Sequence, residues 1–147
     1  MRDEFKAHLI EFEGIRLKPY VDSVGKLSLG IGRNLDDVGI TLEEAHVLLD
    51  NDINNVEEEV IRRINDFDLL PDRAKLVLLD MAFNMGVPTL LSFKKMLRAI
   101  SHNDWDESAR ELLSSRYAKQ VGRRALYNAT LLETAGEQPC LPKLKKS

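Results

Sequence analysis

One uninterrupted helical period runs from residue 41 to residue 65, and it constrains the chain more than any other feature. Thr41 and Glu44 stand as S/T-x-x-E, the capping box in which hydroxyl and carboxylate each satisfy a backbone N–H at a helix start. Behind it Leu42, Ala45, Leu48, Leu49, Ile53, Val56, Val60 and Ile64 recur at helical spacing, with Asp52 a polar member of the series. At about 1.5 Å per residue such a helix is roughly 36 Å long. A charged helix of that length commonly bridges two lobes.

The two flanks differ in kind. On the N-terminal side, Phe5, Leu9, Ile10 and Phe12 share a face of a short first helix, and Gly14 marks its end, which puts Glu13 on or just past the last turn. Tyr20-Val21, then Asp22 to Lys26, then the period-two alternation of Leu27, Leu29 and Ile31 reads as strand, turn, strand. Gly30 and Gly32 weaken a strand but let the backbone approach a ligand closely. Residues 33–40 read as a polar connection.

On the C-terminal side, residues 72–85 are apolar on nearly all sides, which predicts a central buried helix ended by Gly86 and Pro88. Further helices are expected near 92–101, 104–114, 116–119 and 122–134, with Asn103 or Asp104 capping the one that carries Trp105. The expected fold is α+β and mostly helical: a small N-terminal lobe with a β-hairpin (about 1–40, its first helix expected to pack on the C-terminal lobe), a long connecting helix (41–65) and an all-helical C-terminal lobe (66–136), in one domain of 147 residues. Residues 137–147, rich in proline and lysine, read as a loosely ordered tail.

Composition narrows the function classes. A formal net charge of −3 gives no global reason to expect nucleic acid or an anionic membrane as partner. The lone cysteine, Cys140, rules out an internal disulfide and a multi-thiolate metal site. The N-terminus has early acidic residues and no continuous apolar stretch, so no secretory signal is expected, and no run of about 18 apolar residues suggests a membrane span. His8, His46 and His102 fall on separate elements without metal-ligand spacing, so neither metal nor cofactor is expected. Ser23, Ser28 and Ser92 lack a G-x-S-x-G elbow, and Gly30-Ile31-Gly32 lacks the third glycine of a phosphate loop.

Glu13 and Asp22 are the carboxyl pair that position suggests. Glycoside hydrolysis uses one carboxyl group that donates a proton to the leaving oxygen and another that orients water or attacks the sugar. Ser28, on the return strand, could hold a water beside Asp22 through its hydroxyl. On spacing alone, a glutamate near a helix end is more often a solvated charge, and an aspartate before Ser-x-Gly more often a turn former.

The longer pattern carries more. Glu13-Gly14, Leu17, Tyr20, Asp22, Gly25, Ser28, Gly30, Ile31 and Gly32 resemble the signature E-G…L…Y-x-D…G…T-x-G-x-G of the phage lysozyme (endolysin) family, glycoside hydrolase family 24, of the T-even type. The match continues through Ile40-Thr41, Glu44-Ala45, Asn51-Asp52, the stretch from Leu78 to Gly86, Phe93, Leu97, Trp105-Asp106, Ser115 to Tyr117 and Arg124-Ala125. It covers about residues 10–130.

The resemblance implies a lysozyme-like fold and a muramidase that hydrolyses the β-1,4 bond between N-acetylmuramic acid and N-acetylglucosamine with inversion. Inversion would require carboxyl groups about 6.5–9.5 Å apart. It implies Glu13 as general acid and Asp22 as the carboxylate that positions water. Ser28 stands where most members have threonine, keeping the hydroxyl and losing a methyl. Phe83 and Asn84 match positions that line the saccharide cleft, and Gly30 is expected near the sugar. Arg124 matches an arginine that meets the catalytic glutamate. Arg33 replaces a histidine that pairs with an aspartate of the long helix, here Asp52. The connection from Gly32 to the long helix is shorter than in the T-even enzyme, which implies a smaller N-terminal lobe. The implied partner is bacterial peptidoglycan, met by a monomer that accumulates in the host cytoplasm and reaches the periplasm and wall through a membrane lesion such as a holin makes. Rivals are a non-catalytic wall-binding module of the same fold and a lytic transglycosylase.

Overall fold

In the computed structural model, described here over residues 1–137, two compact units divide within the long helix, the first ending at Leu49 and the second beginning at Asp50. The N-terminal unit opens with α1 (Arg2–Glu13), closed by Gly14 at φ 70°, whose N–H donates to the carbonyl of Ile10. Three antiparallel strands follow in the order β1-β2-β3: Arg16–Val21, Leu27–Gly30 and Arg33–Asn34. The short β3 lies where a polar connection was expected. It forms because Gly30 and Gly32 take positive φ and turn the chain back, so that Leu29 pairs with Arg33 and Ser28 with Asn34.

The β1–β2 register slips between Arg16 and Tyr20. Pro19 falls in that interval and has no N–H to give the ladder, which is where a bulged edge strand tolerates proline. Arg16 closes over the Tyr20 ring, with its guanidinium carbon 4.4 Å from the centroid.

The unit has almost no interior. Ser28 is its one buried residue, at 2% exposure. Between the sheet and the start of α2 (Leu42–Arg63) lies an open apolar groove of about 660 Å³, walled by Leu17, Leu29, Ile31, Leu35, Ile40 and Val47 among others. The capping box expected at the start of α2 is present: the Glu44 N–H donates to Thr41 Oγ1 at 3.1 Å and the Thr41 N–H to Glu44 Oε2 at 2.8 Å.

The second unit holds the core. After the last turns of α2 and a 3-10 turn at Phe67–Leu69 come α3 (Asp72–Met85), α4 (Val87–Leu90), α5 (Lys94–Ser101), α6 (Trp105–Leu113), α7 (Arg116–Val121), α8 (Arg123–Glu133) and a 3-10 turn at Ala135–Glu137. Ala74, Val77, Leu78, Met81 and Ala82 of α3 are buried at i, i+3, i+4, i+7 and i+8, against Leu90, Met96, Leu112 and Leu132. Burial is thus a stripe, not the all-round burial expected, and Leu76 and Phe83 remain 52% and 45% exposed.

The central helix ends at Met85 with Gly86 as its cap, where the sequence placed its end, but Pro88 also opens a short helix that was not expected. The proline sits in the first turn of α4, where its missing N–H is not needed. Asp104 is the cap of α6, accepting from the Glu107 N–H at 3.1 Å. Of the expected loose tail, Glu137 belongs to the last 3-10 turn, and the rest lies outside the described residues. No helix among the described residues is long and apolar enough to cross a membrane.

Candidate active site

The N-terminal unit brings two of the three candidate catalytic residues together and gives the third an unforeseen neighbour. Asp22 sits in the β1–β2 turn, where its N–H donates to the Lys26 carbonyl and the Gly25 N–H to its own carbonyl. Its carboxylate is divided between two tasks. Oδ1 accepts the N–H groups of Val24 and Lys26 at 3.0 and 2.8 Å, which makes the turn. Oδ2 faces the Ser28 hydroxyl at 3.5 Å. Turn former and candidate catalytic group are therefore the same side chain.

Ser28 is fixed by strand pairing on both sides, opposite Tyr20 of β1 and Asn34 of β3. Its Oγ lies 3.5 Å from both Asp22 Oδ2 and the Lys26 carbonyl. Both contacts are longer than the usual 2.7–2.8 Å for O–H···O.

Glu13 ends α1 and is exposed. Its side chain lies against the backbone of Gly32, so that a Cβ built there would stand 2.7 Å from Oε2 and 2.9 Å from Cδ. Gly30, expected near the sugar, has φ +71° and open space where a side chain would be. The sequence flagged both glycines for close approach to a ligand; at Gly32 the group against the backbone is instead the Glu13 side chain.

Arg33, expected opposite Asp52, is gripped by Glu44. Its two terminal nitrogens donate to Oε2 and Oε1 at 3.1 and 2.6 Å, and one also reaches the Gly39 carbonyl at 3.2 Å. The cap residue is already held beside β3 by Thr41, which makes it the local partner. The Thr41 N–H first, and the Arg33 guanidinium second, hold the Glu44 carboxyl below the ordinary range, against a smaller opposing push from desolvation. Asp52 lies further along α2, exposed.

In the second unit, Phe83 and Asn84 occupy the last turn of α3, both exposed. Arg124, expected opposite Glu13, forks onto Asp80 of its own unit: Nε reaches Oδ1 and Oδ2 at 3.1 and 3.0 Å, and a terminal nitrogen reaches Oδ1 at 2.5 Å. The buried Asn128 amide adds a 2.7 Å bond to Oδ2. Partial burial acts to raise the Asp80 carboxyl but is overridden by these hydrogen bonds and the Arg124 charge, which hold it below the ordinary range. Asp80 is the partner of Arg124 that sequence reasoning missed; a carboxylate within a largely apolar helix is the only local signal.

Among the described residues, no group of three or more histidine, cysteine, aspartate or glutamate side chains is placed to hold a metal ion. The arrangement consists of an exposed carboxyl at a helix end and a carboxylate oxygen beside a buried hydroxyl.

Residues 10–132 match the phage lysozyme family. The chain is 25% identical to "Probable T4-type lysozyme 1" of Dictyostelium discoideum over 83% of its own length and 89% of that protein. It is 28% identical to "Probable T4-type lysozyme 2" of the same organism, with the same coverage. It is also 26% identical to the "Pre-baseplate central spike protein Gp5" of Enterobacteria phage T4, over 77% of this chain and 24% of that protein.

Proposed function

Because the chain belongs to the phage lysozyme family, a family of lysozyme-type hydrolases, we propose that it is an endolysin muramidase that cuts the β-1,4 bond between N-acetylmuramic acid and N-acetylglucosamine in peptidoglycan. Glu13 is the general acid that protonates the leaving glycosidic oxygen. Asp22 Oδ2 and the Ser28 hydroxyl hold the attacking water, which delivers hydroxide to the anomeric carbon as its proton passes to Asp22. The product is a reducing end with inverted configuration. Gly30, Phe83 and Asn84 are proposed to contact the glycan, as the family resemblance implies; Arg33 acts through Glu44, holding the start of α2 beside β3.

The observation that carries this reading is the division of Asp22. A plain turn former needs only Oδ1, and here Oδ2 is left facing a hydroxyl that strand pairing fixes from both sides. The cellular role that goes with it is host lysis by a monomer released through a membrane lesion.

Clearing of a purified peptidoglycan suspension, followed by mass spectrometry of the fragments, tests the proposal. Reducing N-acetylmuramic acid ends are expected from the wild type, and Glu13→Gln should yield none. Binding without fragments would point to a wall-binding module, and 1,6-anhydro ends to a transglycosylase.

A further inference from the structure

Gly32 has no side chain to contribute, yet its backbone borders Glu13 more closely than a residue carrying a Cβ could. A Cβ on it would meet three successive atoms of Glu13: Oε2 at 2.7 Å, Cδ at 2.9 Å and Cγ at 3.2 Å. Carbon does not approach a carboxylate to 2.7 Å, so one of the two must yield. The Gly32 backbone is tied into the turn between β2 and β3, where Leu29 pairs with Arg33 and Arg33 is clamped by Glu44. The glutamate side chain, exposed at a helix end, moves more readily than that backbone. Relief therefore comes at the carboxylate.

We infer that Gly32 is a positioning residue for Glu13: its bare Cα is the wall against which the acid is set, and any side chain at this position displaces the carboxyl from its productive place. The inference rests on the reading of Glu13 as general acid. Its consequence is kinetic more than structural, because a misplacement of about 1 Å in a reacting group can cost about 100-fold in rate.

Positive φ complicates the simple substitution, since alanine at φ +64° is strained in any surroundings. Gly39 supplies the control. It has nearly the same φ, +66°, and a Cβ there would meet nothing nearer than the Leu35 carbonyl at an ordinary 4.0 Å. Gly39→Ala carries the strain without the collision.

The experiment compares kcat and KM on soluble peptidoglycan fragments for wild type, Gly32→Ala, Gly39→Ala and Glu13→Gln, together with the side-chain carboxyl ¹³C shift of Glu13. Gly32→Ala is expected to lower kcat about 100-fold with KM within about threefold, and to move the Glu13 carboxyl signal. Gly39→Ala should leave both close to wild type. A Gly32→Ala enzyme with the kcat and carboxyl signal of Gly39→Ala would overturn the positioning role while leaving the acid assignment intact. A fully active Glu13→Gln would overturn the acid assignment and this inference with it. If Gly32→Ala does not fold, the pair Glu13→Ala/Gly32→Ala decides: alanine at 13 removes all three colliding atoms, so the double variant should fold, and failure of both would overturn the contact.

Discussion

The Ser28 hydroxyl stands 3.5 Å from Oδ2 of Asp22, while the other oxygen of the same carboxylate is engaged by two backbone N–H groups. This split makes structural and chemical roles separable by mutation. Asp22→Asn can keep an amide oxygen at the Oδ1 position and so keep the turn, but it loses the anionic oxygen that faces Ser28. The variant should melt within about 2 °C of wild type and lose at least about 100-fold in kcat. Asp22→Ala should lose both activity and several degrees of melting temperature. Paired calorimetry and turnover measurements check this; equal loss of stability in the two variants would refute the division of labour.

Ser28 should tolerate a methyl better than the loss of its oxygen. Ser28→Ala removes the hydroxyl beside Oδ2 and should lower kcat about 10- to 100-fold, in the range of a single positioned polar group. Ser28→Thr restricts the side-chain torsion and keeps the hydroxyl, so its kcat should remain within about threefold of wild type. Steady-state kinetics on one substrate preparation suffice to rank the three proteins.

Acid should weaken the fold through Glu44 and Asp80. Both carboxyls titrate lower in the folded protein than ordinary carboxylates do, so each favours folding above the unfolded-state value, near pH 4, and that contribution disappears as pH falls through the folded value. Melting temperature should therefore drop as pH falls from about 5 toward 2. Glu44→Gln and Asp80→Asn should each start lower at neutral pH and show a shallower decline. A slope unchanged from wild type in both variants would remove these pairs from the account of acid stability.

Tyr117 offers a stabilising substitution. Its ring is 7% exposed and meets Phe93 edge-on at 6.2 Å, but the hydroxyl is buried with no hydrogen-bond partner among the described residues. Burial and the Asp80 charge both push the phenol up. An unsatisfied buried group costs about 1–3 kcal/mol. Tyr117→Phe should raise stability by about 1 kcal/mol in urea denaturation, and a loss of that size would show that the hydroxyl is satisfied in solution.

Local chemistry accounts for what was legible in the sequence. The Thr41–Glu44 box, the Asp104 cap and the glycine after Glu13 act within one or two turns, so their residues announce them. The short helix α4 and strand β3 were missed because helix-breaking and polarity are tendencies that neighbours override: Gly86 lets a new helix start at once, and Gly30 and Gly32 fold a polar segment back into pairing. Partners brought together by folding left little trace. Arg124 lies 44 residues from Asp80, and nothing in either neighbourhood names the other. Arg33 was assigned a partner by resemblance, whereas proximity to the capped helix start supplies Glu44. The Glu13–Asp22–Ser28 set was legible as an ordered motif; the contact of Glu13 with Gly32 needed coordinates.

A unit whose only buried side chain is a serine has little to resist local opening. Amide hydrogens of the three strands should exchange with solvent well before those of α3, and limited proteolysis should nick the first 40 residues first. The proposed catalytic groups lie on this fragile unit, while the apolar core lies in the other. Heating should therefore silence the enzyme while most of its helical signal survives, and cooling should revive it, because the helical unit never has to refold.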